Sequence, residues 1–169
     1  MTPGRQPGKS RLALGLLLGL AQFALFGADA PLHAADSARD DTTEVNPNTG
    51  LAISGFDPVA YFTDASPKIG RPDMELTLGG VVWRFLNEGN RAAFVAHPEV
   101  YRPQFGGYDP VAIARGTSVP GHPLFWAVVG NRLYLFYSGT ARAAFLADPG
   151  RIIEAAERKW PEVARTIAR

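Results

Sequence analysis

GGVVWRFLNEGNRAAFVAHP at 79–98 and GNRLYLFYSGTARAAFLADP at 130–149 are one unit written twice. Sliding the chain on itself by 51 residues, without a gap, superposes Gly79, Phe85, Arg91, Ala92, Ala93, Phe94, Ala96 and Pro98 on Gly130, Phe136, Arg142, Ala143, Ala144, Phe145, Ala147 and Pro149. Identities that dense in one register point to an internal duplication. Each copy places aromatics two apart (Trp83 and Phe85; Tyr134 and Phe136), passes a turn with Gly89 or Gly139, and runs Arg-Ala-Ala-Phe-x-Ala to a Pro. Period two followed by period near 3.6 predicts a strand, a turn and a short helix. Phe94 and Phe145 are then expected to pack on the aromatic strand of their own copy. The fold class that follows is α+β: a small single domain of two repeated strand-turn-helix units plus a C-terminal helix.

Working outward, residues 101–123 between the copies hold Pro103, Gly106, Gly107, Pro110, Gly116, Pro120, Gly121 and Pro123. That content forbids a long regular element, although Val111 to Arg115 suit a helical turn behind Pro110. A long loop inside a small domain is where function tends to sit. After Pro149, Ile152, Ile153, Ala156 and Trp160 recur at helical spacing, which predicts a closing helix docked by Trp160 and interrupted at Pro161, with 164–169 left as a tail. On the N-terminal side, residues 36–50 are polar and acidic with the turn former Asn46-Pro47-Asn48, and read as a flexible tether to a domain over 51–163.

Arg5, Lys9 and Arg11 precede an apolar run from Leu12 to Phe26, followed by small residues ending in Ala34-Ala35. This is the layout of a secretory signal peptide over 1–35, and it makes the expected location periplasmic or secreted. The apolar run is short of the roughly 20 residues a membrane span needs, so no membrane partner is expected after cleavage. The absence of Cys excludes disulfides, thiolate catalysis and Cys-ligated metals. A net charge of +1 with no basic cluster argues against a nucleic-acid partner.

The motifs Gly55-Phe56-Asp57-Pro58-Val59-Ala60-Tyr61-Phe62, Trp83-Arg84-Phe85, Pro98-Glu99-Val100-Tyr101-Arg102-Pro103-Gln104-Phe105-Gly106-Gly107-Tyr108, Leu133-Tyr134-Leu135 and Trp160-Pro161 together resemble the secreted bacterial YHS-domain proteins. The resemblance covers nearly all of Leu51 to Val163. It implies a small α+β domain with a link to metal handling and no well-defined activity. Proteins of that kind usually carry Cys after the Gly-Gly-Tyr, whereas this chain has Asp109 followed by Pro110. The change removes the soft ligand that copper(I) or zinc prefers and leaves a hard carboxylate.

Few residues remain for chemistry. Asp109 with His122 and His97 would make a two-His, one-carboxylate set suited to a divalent metal ion. Against that, His97 stands where the second copy has Asp148, as a helix-terminal residue would, and His122 between Gly121 and Pro123 suits a solvated turn. Tyr61, Tyr101, Phe105, Tyr108 and Trp126 could line a pocket or simply fill the core. Asp57 before Pro58 suits a turn in which the carboxylate binds its own backbone. No Ser stands in a strand-elbow-helix context and no Gly-rich phosphate loop is present. The expectation is therefore a non-enzymatic exported binding module, handling a metal or small ligand through the loop between the repeats. Its rivals are a structural or protein-interaction domain with a degenerate site and, behind it, an accessory part of an oxidative enzyme system.

Overall fold

The computed structural model describes residues 43–167. The expected signal peptide over 1–35 and most of the expected tether lie outside them. In chain order the elements are α1 (Ala60–Thr63), β1 (Arg71–Leu78), β2 (Val81–Phe85), α2 (Glu88–Ala96), α3 (Pro98–Tyr101), α4 (Pro110–Ile113), β3 (His122–Val129), β4 (Arg132–Phe136), α5 (Gly139–Ala147) and α6 (Pro149–Ile167). Short 3-10 turns at Ile53–Gly55 and Gln104–Gly107 precede α1 and α4. The domain is α+β, with two antiparallel hairpins, β1-β2 and β3-β4, and a closing C-terminal helix.

The duplication reaches further than the register of 51 discloses. The hairpins match residue for residue: Arg71 pairs with Phe85 and Glu75 with Arg84, across a bulge, as His122 pairs with Phe136 and Trp126 with Leu135. Upstream, however, the match continues at a spacing of 52. Gly55-Phe56-Asp57-Pro58-Val59-Ala60 is repeated as Gly107-Tyr108-Asp109-Pro110-Val111-Ala112. The bridges Leu51 to Val82 and Phe56 to Ile69 recur as Pro103 to Leu133 and Tyr108 to Pro120. The stretch expected to be an irregular loop between the copies is thus mostly the first half of the second copy, and His122 opens β3 rather than lying in a turn. Gly70 and Gly121 hold equivalent close approaches: a Cβ on Gly70 would sit 2.5 Å from the Arg84 carbonyl carbon, and one on Gly121 2.6 Å from the Leu135 Cβ.

Within each copy the helix Phe closes the aromatic strand, as expected. Phe94 lies 4.8 Å from Trp83 and 5.2 Å from Phe85, ring centre to ring centre, and Phe145 lies 4.9 Å from Tyr134 and 5.0 Å from Phe136. Asn87 and Ser138 cap the two helices in the same way, their side-chain oxygens accepting from the N–H of Asn90 and Ala141. The strands differ on their other faces. Leu133 and Leu135 of β4 join the core of the first copy while Tyr134 and Phe136 serve their own, so β4 is buried on both sides. Their counterparts Val82 and Arg84 are only half-buried.

Two expectations are corrected. Helix α6 does not stop at Pro161 but continues to Ile167, so residues 164–167 of the expected tail belong to it. A proline inside a helix removes one backbone bond. Here the buried residues Ala156 and Val163 lie on either side of it, against Ile113 of α4, while Ile152 joins Val111 in the core of the second copy. The end of the tether is also docked. The Glu44 N–H donates to the Gly106 carbonyl at 2.7 Å, Val45 bridges to Ala52 and packs on the first core, and 46–50 form a tight turn. These backbone bonds and one apolar anchor suffice where composition alone reads as disorder.

Two outcomes are expected. Truncating Phe94 or Phe145 to Ala should each cost about 3–5 kcal/mol in denaturant unfolding, as for other buried Phe. Burial raises the Glu44 pKa, so its ionisation opposes docking, and stability should fall as pH rises through the carboxylate range. Glu44→Gln should therefore raise the melting temperature at pH 7 and leave it unchanged below the ordinary carboxylate range.

Candidate functional site

The two Asp-Pro turns are the only places among the described residues where an acidic side chain is fully buried. Asp57 Oδ1 accepts the Val59 N–H at 2.8 Å, two residues on. Its Oδ2 accepts the Leu86 N–H at 2.8 Å and the Asn90 side-chain amide at 2.6 Å. Asp109 repeats the pattern, with Oδ1 on the Val111 N–H at 2.8 Å and Oδ2 on the Tyr137 N–H at 2.9 Å. Each carboxylate therefore starts a helical turn with one oxygen and holds the chain leaving the hairpin with the other. A buried carboxylate is tolerable on such terms, because N–H donors replace the water it loses. The self-bonding turn expected of Asp57 is present, and Asp109 carries the same one.

The three candidate metal ligands do not come together: among the described residues no group of three His, Asp or Glu side chains could hold a metal ion. Asp109 accepts two backbone N–H groups. His97 is exposed at the junction of α2 and α3, its Nδ1 3.4 Å from Glu99 Oε1, which is the helix-terminal role the sequence indicated. His122 is exposed, its Nδ1 accepts the Leu124 N–H at 3.2 Å, and its ring lies 5.6 Å from that of Phe125. The donor set does not fit a resident metal.

The candidate aromatic pocket divides in the same way. Tyr61 and Trp126 meet edge to face at 5.3 Å and line an open groove with Phe62 and Leu146. The Tyr61 hydroxyl donates to the Pro123 carbonyl at 3.0 Å, tying the first copy to the second. Burial, and after it the charge of Asp57, pushes its pKa up. Phe105 and Tyr108 instead stack against Trp160 of α6, at 5.8 and 6.3 Å, and Tyr101 packs on Phe62. Burial, then Glu44, raises the Tyr108 pKa. These rings are mainly core and interface.

What the sequence reading did not find is a cleft of about 290 Å³ between α4 and the start of α5, with Asp109, Val111, Arg115, Ser138, Thr140 and Ala141 among its walls. A second hollow of about 230 Å³ continues from it along α6, sharing Val111, Arg115 and Ala144 and reaching Arg151. Arg115 is exposed and its side chain, among the described residues, makes no hydrogen bond or ion pair. The signal available in the sequence was the second Gly-aromatic-Asp-Pro-Val-Ala, hidden because the segment after it is one residue shorter than in the first copy.

No known family model matches this chain, and no curated protein or solved structure matches it significantly.

The geometry makes Asp109 a fold-holding residue. Asp109→Ala should destabilise the domain by about 2–4 kcal/mol, since two donors lose a charged acceptor, and Asp57→Ala should cost more because it strands a third. Chelator treatment should leave the melting temperature of the parent protein unchanged, and calorimetry of the three proteins with and without chelator checks both points.

Proposed function

We propose that this chain is an exported, non-enzymatic binding module of the YHS-like kind, which takes a small organic ligand in the cleft beside Asp109. The observation that carries the reading is that cleft, a concave space with an apolar floor, a buried carboxylate in its wall and an unengaged Arg115. A few convergent polar groups in an otherwise apolar concavity are what small-molecule sites share. Export is supported by the basic and then apolar character of residues 1–35. The non-enzymatic reading is supported by the use of both buried carboxylates as clamps on backbone N–H groups, with no His, Lys or second carboxylate hydrogen-bonded to either among the described residues. Among the described residues no helix is long and apolar enough to cross a membrane.

A second reading, a purely structural or interaction domain, draws on the exposed Leu124 and Phe125 of β3 and Tyr137 just after β4. Ligand-observed NMR with a panel of small amines, amides, carboxylates and sugars separates the two. At least one class should bind saturably to the parent protein and be lost on Ala141→Leu, which fills the cleft. Absence of binding, or binding indifferent to Ala141→Leu, would decide for the structural reading.

A further inference from the structure

The two Asp turns differ in one donor. Asn90 occupies the third position of α2 and gives its side-chain amide to Asp57 Oδ2. The third position of α5 is Ala141, its N–H bound to the Ser138 cap as that of Asn90 is bound to Asn87. Asp109 is therefore left with two donors where Asp57 has three, and Ala141 and Asp109 both stand in the wall of the cleft. A carboxylate has room for about four donors. The repeat itself thus supplies the comparison: where the first copy gives its carboxylate a third donor from its own side chain, the second has Ala141 and a neighbouring cleft.

We infer that the cleft binds small molecules carrying both an ammonium group and a carboxylate, the α-amino acid class. The ammonium takes the place that the Asn90 amide holds in the first copy and donates to Asp109. The carboxylate is met by Arg115, whose planar fork suits a two-bond contact with a carboxylate, and by the hydroxyls of Ser138 and Thr140. Val111 and Val119 form an apolar wall for the side chain. At about 290 Å³ the space is near the lower end of small-molecule pockets, which favours short side chains such as that of alanine. A ligand with only a carboxylate would bring a second negative group towards the buried Asp109, and one with only an amine would leave Arg115 unused.

This inference rests on the binding-module reading, and its test keeps the two apart. Alanine, lactate and propylamine are titrated into the protein by calorimetry, with the larger NMR panel run beside them. Alanine should bind, with lactate and propylamine each weaker by roughly tenfold or more, the worth of one charged contact. Ala141→Asn, which restores the side chain of the first copy, should abolish alanine binding with the melting temperature kept or raised. Arg115→Ala should weaken alanine roughly tenfold and leave propylamine unchanged. Lactate or propylamine binding as tightly as alanine, and still blocked by Ala141→Asn or Ala141→Leu, overturns the ligand class while the cleft remains a binding site. Alanine binding that survives both substitutions overturns the site, and no binding by any member of the panel overturns both readings.

Discussion

A buried carboxylate that ties the start of a helical turn to the end of a β-hairpin is the constraint on which the rest of this fold depends, and the chain uses it twice. Asp57 and Asp109 are each held by backbone N–H groups drawn from two places far apart in sequence, Val59 and Leu86 in one case, Val111 and Tyr137 in the other. Taking such a group out of water is costly unless every local donor is aligned to it. The alignment fixes where the hairpin leaves the sheet relative to where the turn begins, and hence where the following helix is capped. Without a disulfide available, this charged clamp does the cross-linking that small disulfide-rich domains assign to cystine.

The copies are not independent. The face of the first turn, with Tyr61, is covered by the second hairpin through Trp126 and the Pro123 carbonyl. The equivalent face of the second turn, with Ile113 in the place of Tyr61, has no third hairpin to cover it, and α6 lies there instead. Its Trp160 reaches Phe105 and Tyr108. The C-terminal helix therefore acts as the cap that repeat architectures need at an end where stacking stops. This explains why it continues through Pro161: the apolar face to be covered is longer than the helix before the proline, and burial beyond it offsets the lost backbone bond.

The same duplication that stabilises the fold also creates its asymmetry. Because Asn90 and Ala141 occupy one structural position, a single side chain separates a closed carboxylate from one bordering a cleft. Histidines and aromatics, the residue types that attract attention in a sequence, turn out to terminate a helix, open a strand or fill an interface.

The sequence by itself determined the strand and helix that close each copy. Paired aromatics at period two, Arg-Ala-Ala-Phe at helical period and the Pro stops are local signals, and they placed β2, β4, α2, α5 and the burial of Phe94 and Phe145 without reference to anything distant, while the hairpin partners β1 and β3 went unread. It also contained the second Asp-Pro turn, but a one-residue difference between the copies moved it out of the gap-free register. Only the tertiary structure decided that β4 is buried on both faces, that 44–50 docks, that Pro161 lies within a helix, and that Asp109 faces a cleft while Asp57 does not. Each of these depends on what another part of the chain presents across a contact. Periodicity reports which face of an element is apolar, whereas the partner against that face, and the space left where a partner side chain is short, exist only once the chain is folded.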